Sequence, residues 1–241
     1  MSPNVVRLLV LGTVLFGALS PGETCVAAER PNVLMICVDD LKPTLGCYGD
    51  KVAITPNIDR LAARGVRFDA AYCNQAVCSP SRNALMTGLR PETIGIYDLP
   101  THFRVAVPDA VTLTQHFIRQ GYHAAGLGKI FHVGHGNTND KFSWSEPFDP
   151  VRAKSYVAED SLNRMSRDSK GRMRGPATES APVSDDTYRD GRIALEAVSR
   201  LSSLASEPDQ PFFLAAGFAK PHLPLVAPEK YWQLYTPDSL P

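Results

Sequence analysis

Residues 32–38 read NVLMICV and are followed at once by Asp39 and Asp40. The run is almost unbroken in apolar residues, is rich in strand formers and is too short for most helices. Such a run is typical of a strand that is buried on both faces of a sheet. The stretch therefore predicts a buried strand whose carboxyl end is marked by two acidic residues.

Helices and further strands are predicted along the rest of the sequence. Apolar residues at helical spacing, with N-cap residues or closing glycines, predict helices over residues 55–65, 79–88, 112–121 and 187–205. In the second of these, Ser79 is expected to be the cap and Pro80 to lie in the first turn. Short apolar runs predict strands over residues 66–72, 122–126 and 211–218. This alternation predicts an α/β fold with a largely parallel sheet flanked by helices.

Composition narrows the class of protein. The chain has 241 residues, and its 25 lysines and arginines balance its 25 aspartates and glutamates. A formal net charge of zero gives no indication of a nucleic-acid partner or of strong attraction to a membrane surface. Residues 149–186 are rich in Ser, Arg, Asp and Pro, which predicts an irregular surface insertion that can act as a lid over a site.

The first 28 residues have the pattern of a secretory signal peptide. Arg7 precedes an apolar run over residues 8–19, and small residues lead to a cleavage site after Ala28. The run is too short to span a membrane comfortably, so we expect export to a periplasmic, extracellular or lysosome-like compartment without a stable membrane anchor. Residues 29–241 then form the mature part of the sequence.

Cysteine usage leaves two interpretations open. An exported protein can form disulfides, and the mature part contains Cys37, Cys47, Cys73 and Cys78. It has no Cys-x-x-Cys pair, which argues against a zinc site. Spacing alone allows a bridge between Cys73 and Cys78. Alternatively, Cys78 lies at a helix N-terminus with Arg82 nearby, a setting that favours negative charge and suits a nucleophile attacking an anionic ester.

Three predicted strands run directly into titratable residues. The first leads to Asp39 and Asp40, the second to Lys129 and His132, and the third to Lys220 and His222. Ligands of open α/β sheets bind beyond the carboxyl ends of the parallel strands, so these groups are expected to meet in one crevice. Each feature also has a plain structural interpretation as a solvated loop residue.

The adjacent carboxylates of Asp39 and Asp40 suggest a hard divalent cation. Successive side chains of a strand point to opposite faces, so both carboxylates can face one ion only if the chain leaves strand geometry there. Calcium takes 6 to 8 oxygen ligands, so two carboxylates are an incomplete site.

A resemblance to a known family joins these features. Residues 78–82, CSPSR, match the Cys-x-Pro-Ser-Arg signature of the sulfatase family, which belongs to the alkaline-phosphatase-like superfamily. The similarity extends through RPNVLMICVDDLKP, TPNIDRLAARGVRF, TGLRPETIGIYD, GLGKIFHVG and PFFLAAGFAKPHLP. Within the family, the sequence most resembles iduronate-2-sulfatases and related polysaccharide sulfatases. Residues 29–241 are then expected to be the N-terminal part of a sulfatase catalytic domain.

The resemblance implies a complete reaction. Cys78 would be converted to formylglycine by a formylglycine-generating enzyme. One hydroxyl of the hydrated aldehyde would attack sulfur, the alcohol would depart, and the second hydroxyl would help expel sulfate and regenerate the aldehyde. Asp39 and Asp40, with residue 78, would bind one calcium ion, its remaining ligands coming from outside this sequence. Arg82 and Lys129 would steady the sulfate charge. His132 and His222 would hydrogen-bond the diol or sulfate, with His222 favoured as the acid for the leaving oxygen.

The sequence is therefore compatible with three functions. The first is a sulfuric ester hydrolase acting on a sulfated carbohydrate, such as an iduronate-2-sulfate unit of a polysaccharide. The second is a phosphate or phosphonate ester hydrolase of the same superfamily. The third is an inactive, truncated protein that binds glycans.

Overall fold

The computed structural model describes residues 30–239. The predicted signal peptide, residues 1–28, lies outside the described residues. The strands are β1 Val33–Val38, β2 His123–Gly128, β3 Ser166–Arg167, β4 Met173–Arg174, β5 Thr178–Ala181, β6 Phe212–Phe218 and β7 Leu225–Pro228. The α-helices are α1 Pro56–Ala62, α2 Cys78–Thr87, α3 Pro91–Ile94, α4 Phe103–Ala106, α5 Leu113–Arg119, α6 Glu159–Asn163, α7 Arg189–Ala205 and α8 Glu229–Trp232. The described residues also form four single-turn 3₁₀ helices: Gly46–Tyr48, Lys141–Ser143, Asp185–Thr187 and Pro237–Ser239.

The main sheet has three parallel strands in the order β1-β6-β2. Strand β6 is central, and six of its residues are buried in succession before Phe218. The sheet confirms the predicted parallel α/β architecture. Because all three strands run the same way, their carboxyl ends lie at one edge of the sheet, and this edge positions the candidate site.

Two apolar clusters cover the two faces of this sheet. On one face, Phe213 and Ala215 of β6 belong to a cluster with Phe131 and Trp144. On the other face, Leu214 and Ala216 pack with Ile193 of α7. Since alternate residues of β6 enter different clusters, a continuous apolar run is what this central strand requires.

The predicted helices and strands agree with the structure in most places. Helix α5 begins after Thr112, the first residue of the predicted segment and its expected N-cap, and the Thr112 side chain forms a capping box with Gln115. Strand β2 extends two residues beyond the predicted end at residue 126. Helix α2 begins earlier than expected, with Val77 as its N-cap. The hydroxyl of Ser79 does not cap the helix because it is buried and accepts a hydrogen bond from Asn137.

The predicted strand over residues 66–72 is wrong. The described chain has turns and irregular backbone there, and Val66, Phe68 and Tyr72 are 82%, 71% and 88% exposed. A strand needs a hydrogen-bonding neighbour, and among the described residues none pairs with this segment. Its apolar residues therefore remain at the surface.

Segment 149–186 contains short elements as well as loops. Strand β5 pairs in parallel with β7, and β3 pairs with β4. Buried Glu179 accepts hydrogen bonds from the Tyr188 hydroxyl at 2.6 Å and from the backbone N–H of Val157 at 2.9 Å. These bonds hold part of the segment against the start of α7. Within residues 30–239, the structure has no helix that is both long and apolar enough to cross a bilayer.

At its carboxyl end, strand β6 passes so close to the backbone that follows β2 that position 217 has no room for a side chain. A Cβ atom added at Gly217 would lie 2.1 Å from the carbonyl oxygen of Lys129. We expect Gly217→Ala to lower the free energy of unfolding by about 1–3 kcal/mol, because β2 and β6 must separate to admit the methyl group. Chemical denaturation measures this change.

The matched control is Gly65→Ala, where the added Cβ would meet only the Leu61 carbonyl oxygen, at an ordinary 3.6 Å. We expect that variant to differ little from the wild type in stability. Equal stability of the two variants would contradict the close approach of β2 and β6.

Candidate active site

The side chains predicted from the three strand ends meet at the carboxyl edge of the sheet. Asp39 follows β1, Lys129 follows β2 and His222 lies in the loop after β6. The N-terminus of α2 adds Cys78 and Arg82 to the same place. Potential ligand atoms of Asp39, Cys78 and His222 all lie within 4.8 Å of one another.

Asp39 is the centre of a buried ion-pair network. One carboxylate oxygen accepts a hydrogen bond from Arg82 at 2.6 Å, and the other is paired with Lys129. The Arg82 guanidinium also donates to the backbone carbonyls of Lys129 at 2.5 Å and of Ile130 at 2.9 Å. Arg82 therefore holds three parts of the fold together: helix α2, the carboxylate that follows β1 and the backbone that follows β2.

The network decides the ionisation of Asp39. Burial opposes its charged form, but hydrogen bonds from Lys129 and Arg82 outweigh burial and hold the pKa of this carboxyl below its usual range. Asp39 is only 4% exposed, so its charge is stabilised almost entirely by these two cations.

Cys78 is the first residue of α2 and a free thiol. Its Sγ lies 3.9 Å from Lys129 Nζ. Burial raises the pKa of the Cys78 thiol, although Lys129 partly offsets this. Cys37, Cys47 and Cys73 are free as well, so the Cys73–Cys78 bridge that the spacing allowed is absent from the described structure.

His222 is held by a loop with its own anchors. Its Nδ1 lies 2.7 Å from the Leu223 carbonyl oxygen, which can only accept, so Nδ1 carries a proton and Nε2 is left free of that bond. The ammonium group of Lys220 donates to the carbonyls of His222 at 2.8 Å and of Pro224 at 2.5 Å. Asp190 of α7 in turn accepts from the backbone N–H of Lys220 at 2.7 Å.

His132 and Asp40 lie near the network without joining its hydrogen bonds. His132 is buried, and both burial and the nearby charge of Lys129 lower its pKa. Asp40 is exposed and has a left-handed backbone with φ of 57°. The chain thus leaves strand geometry after β1, as two carboxylates facing one ion would require. Asp40 lines the same cavity as Asp39 and Cys78.

Several residues that shape the site were not singled out from the sequence. Asp190 anchors the His222 loop together with Lys220, which the sequence did single out at the end of the third strand, and Asn137 joins the hairpin after His132 to Ser79 of α2. The bond between Asp190 and Lys220 joins residues 30 apart in the sequence, and the bond between Asn137 and Ser79 joins residues 58 apart. A local sequence pattern cannot predict such contacts. Only His135, which pairs with His132 at 3.2 Å, had a signal: its His-x-x-His spacing within a glycine-rich turn.

The carboxylates of Asp39 and Asp40 are the ligand type that a hard divalent cation takes, but the donor set is incomplete. The ligand atoms that lie within 4.8 Å of one another belong to Asp39, Cys78 and His222, and Asp40 is not among them. Asp39 and Asp40 offer carboxylate oxygens from consecutive residues to one cavity, beside residue 78. Two basic side chains already neutralise Asp39, so a cation there would have to share that carboxylate with Arg82 and Lys129. The described residues supply fewer than the 6 to 8 ligands that calcium takes.

The structure thus brings a cysteine-led helix, two basic residues, a carboxylate and a histidine together at the carboxyl edge of a parallel sheet, where open α/β sheets bind their ligands. The family model described as Sulfatase matches residues 31–237. The chain belongs to the sulfatase family.

Relatives and solved structures agree with this assignment. Iduronate 2-sulfatase of Mus musculus is 36% identical over 97% of this chain, which spans 45% of that protein. A solved structure described as a 2-O GAG sulfatase is 28% identical, with a TM-score of 0.55 over 80% of this chain and 36% of that one. The phosphonate monoester hydrolase of Agrobacterium radiobacter, at 24% identity, has a TM-score of 0.64 over 88% of this chain and 45% of its own, which shows a shared fold. The chain thus spans less than half the length of these proteins.

The Asp39 network makes a prediction about stability. Because the folded-state pKa of Asp39 is lowered, its charge stabilises the fold above the unfolded-state pKa of about 3.9, and this contribution is lost as the pH falls through the folded-state value. We expect Asp39→Asn to cost about 3 kcal/mol at pH 7 in the presence of a chelator. Urea denaturation should show the gap to wild type shrinking below about pH 4.

The matched control is Asp69→Asn. Asp69 also forms an ion pair with an arginine, Arg67, but both side chains are largely exposed, at 68% and 44%. Exposed pairs contribute little, so this variant should follow the wild type at every pH. A gap for Asp39→Asn that does not change with pH would contradict the assigned ionisation.

Proposed function

We propose that this protein is a sulfuric ester hydrolase that removes sulfate from a sulfated carbohydrate. The observation that carries the proposal is the position of Cys78, the cysteine of the sulfatase signature. Its sulfur lies 3.9 Å from Lys129 Nζ and within 4.8 Å of potential ligand atoms of Asp39 and His222. An iduronate-2-sulfate unit of a polysaccharide is the favoured substrate, supported by the similarity to iduronate 2-sulfatase over nearly the whole chain.

The thiol of Cys78 is poorly suited to act unmodified. Burial raises its pKa, so at neutral pH the residue is a protonated thiol rather than the thiolate that serves as a nucleophile. Conversion to formylglycine by a formylglycine-generating enzyme would supply a hydrated aldehyde with two hydroxyls. One hydroxyl would attack the sulfur of the ester as the S–O bond to the alcohol breaks, and the second would then help expel sulfate and regenerate the aldehyde. The sulfur atom described at position 78 therefore stands in for an oxygen of that diol.

The surrounding side chains receive charge and protons. Lys129 Nζ lies 3.9 Å from the sulfur at position 78, so its positive charge would lie next to a sulfate oxygen during attack. Arg82 donates to the Lys129 carbonyl oxygen and so holds the backbone of Lys129 against helix α2, which begins at residue 78. His222, whose Nε2 is free of the Leu223 bond, is proposed to protonate the leaving oxygen when its ring is doubly protonated, and His132 to hydrogen-bond the sulfate.

We propose that Asp39, Asp40 and residue 78 hold one calcium ion, with the remaining ligands supplied by polypeptide outside this sequence. Bound there, a divalent cation would polarise sulfate oxygens and favour ionisation of the nucleophilic hydroxyl. The open edge of the sheet supports an external contribution. Leu34 and Ile36 of β1 are 44% and 53% exposed, and β1 pairs only with β6 among the described strands.

Substrate choice is proposed to depend on segment 149–186. A cavity of 370 Å³ is lined by Lys129 and His222 together with Lys154 and Ser155 of that segment, and is large enough for a single sugar unit. The segment would act as a wall or lid beside the reacting sulfate. Export through the signal peptide of residues 1–28 is part of the same proposal, because polysaccharide substrates are met outside the cytoplasm.

A phosphate or phosphonate ester hydrolase is the second candidate, since the phosphonate monoester hydrolase shares the fold. An inactive glycan-binding protein is the third, since the described residues leave the metal site short of ligands. The three differ in what the protein turns over, and one experiment separates them.

The test uses protein co-produced with a formylglycine-generating enzyme. We expect mass analysis of the peptide around Cys78 to show an aldehyde and the protein to hydrolyse an aryl sulfate faster than the matching aryl phosphate. Cys78→Ala should reduce this turnover by several orders of magnitude, because the nucleophile is lost. Cys73→Ala is the control, since exposed Cys73 lines the same cavity.

Each alternative predicts a different outcome. A clear preference for aryl phosphate would support the second candidate and contradict the first. Glycan binding without turnover of either ester, in protein that carries the aldehyde, would support the third. An unmodified thiol throughout would contradict the proposed nucleophile.

Removal of the metal tests the proposed calcium site. We expect a chelator to lower the melting temperature of the protein and calcium to restore it, since a ligand that binds only the folded state stabilises it. Asp40→Asn should weaken the calcium response measured by thermal denaturation, while Asp98→Asn, at an exposed turn carboxylate, should not. Equal responses of the two variants would contradict the assignment of Asp40.

A further inference from the structure

His132 has a buried ring nitrogen with no described partner. The residue is 7% exposed, and its Nδ1 has no hydrogen-bond partner within the described structure. A buried polar atom without a protein partner is costly, and its presence calls for a bound water, a ligand or a catalytic use. The charged and titratable groups acting on this imidazole are Lys129, Arg82, Asp39 and His135.

The other ring nitrogen of His132 contacts a second histidine. His132 Nε2 and His135 Nδ1 are 3.2 Å apart, and the two rings are inclined by 15°. The ring centroids are 5.5 Å apart, about the sum of the nitrogen separation and the two ring radii. The centroids and nitrogens are therefore nearly collinear, which is the geometry of an end-to-end hydrogen bond in the plane of both rings.

The backbone that carries His135 is held in place by bonds to the site. Gly134 and Asn137 exchange backbone hydrogen bonds at 3.0 and 2.9 Å, closing a tight turn around His135. The Asn137 amide donates to Ser79 Oγ at 3.2 Å and to the Leu99 carbonyl at 3.0 Å. The turn is thus tied to the residue that follows Cys78.

His135 occupies a backbone conformation that few residues accept. Its φ is 54°, in the left-handed region, where histidine, asparagine and aspartate are enriched among non-glycine residues. A residue held in this region by its surroundings is a pointer to function. Here the conformation directs the imidazole of an exposed residue onto the buried ring of His132.

The bond between the two rings fixes where the proton of neutral His132 lies. If His135 Nδ1–H donates to His132 Nε2, then His132 carries its proton on the buried Nδ1. If the bond runs the other way, His132 Nδ1 presents a lone pair. Only the first arrangement offers a donor to an anionic ester, whereas a lone pair would repel it.

We propose that His135 is a positioning residue that holds His132 in the tautomer protonated at Nδ1, so that this buried N–H is offered to the sulfate ester. The inference rests on the proposed function for the identity of the anion. Burial and the charge of Lys129 lower the pKa of His132, which favours the neutral ring in which the choice of tautomer matters.

Nitrogen-15 NMR of histidine-labelled protein tests the inference directly. The sequence has only six histidines, so the His132 signals can be assigned with His132→Gln. At pH 8.5, we expect wild-type His132 to be protonated at Nδ1. His135→Asn should keep this tautomer, because its side-chain amide can donate, whereas His135→Asp should reverse it, because a carboxylate only accepts.

The Asn and Asp variants are matched in size and in tolerance of positive φ, so a difference between their tautomers should not come from a loss of fold in one of them. His135→Gly, which is also compatible with that backbone, should give a mixture of tautomers. In protein that turns over an aryl sulfate, we expect kcat to fall about tenfold for His135→Asp with a smaller change in KM, and His135→Asn to restore it.

Two results would overturn the inference: a wild-type His132 protonated at Nε2, or the same tautomer in the Asn and Asp variants. Both are read from the ring nitrogens without any turnover. A protein that fails to hydrolyse sulfate esters but shows the expected tautomers would contradict the proposed function while leaving the role of His135 intact.

Discussion

The carboxylate of Asp39 between Arg82 and Lys129 is the interaction on which the rest of the site depends. It connects the ends of two strands with Arg82 of α2, and Arg82 extends the connection to the backbone after β2. Removing either cation would leave the buried carboxylate of Asp39 with a single charged partner, so both ion pairs stabilise the network. The position of residue 78 relative to the sheet follows from it.

The central strand supplies the second constraint. Strand β6 contributes alternate residues to both apolar clusters, and its carboxyl end passes the Lys129 carbonyl with room only for glycine at position 217. The loop that follows is fastened by Asp190 and Lys220. The loop of His222 is thus fixed to the core, and the proton transfer proposed for this residue requires such a fixed geometry.

The two histidines of the site are held in different ways. The Nδ1 of His222 is committed to a backbone carbonyl, which leaves Nε2 as its working nitrogen. His132 is committed through Nε2 to another side chain, which leaves Nδ1 as the buried atom. Opposite nitrogens are thus available from the two rings, and this difference gives them distinct parts in the proposed reaction.

The sequence by itself determined the parallel α/β architecture, the capping of α5 and the residues that meet at the sheet edge. These follow from apolar runs, local capping chemistry and the rule that parallel strands end together. It misjudged residues 66–72, because a strand pattern cannot form without a neighbour, and the cap of α2, because Ser79 bonds to distant Asn137. Only the tertiary structure decided the Arg82 bonds to the chain after β2, the Asp190 anchor and the collinear His132–His135 pair. Hydrogen-bond partners and proton positions depend on distances between atoms, and for contacts across tens of residues the order of the chain does not fix those distances.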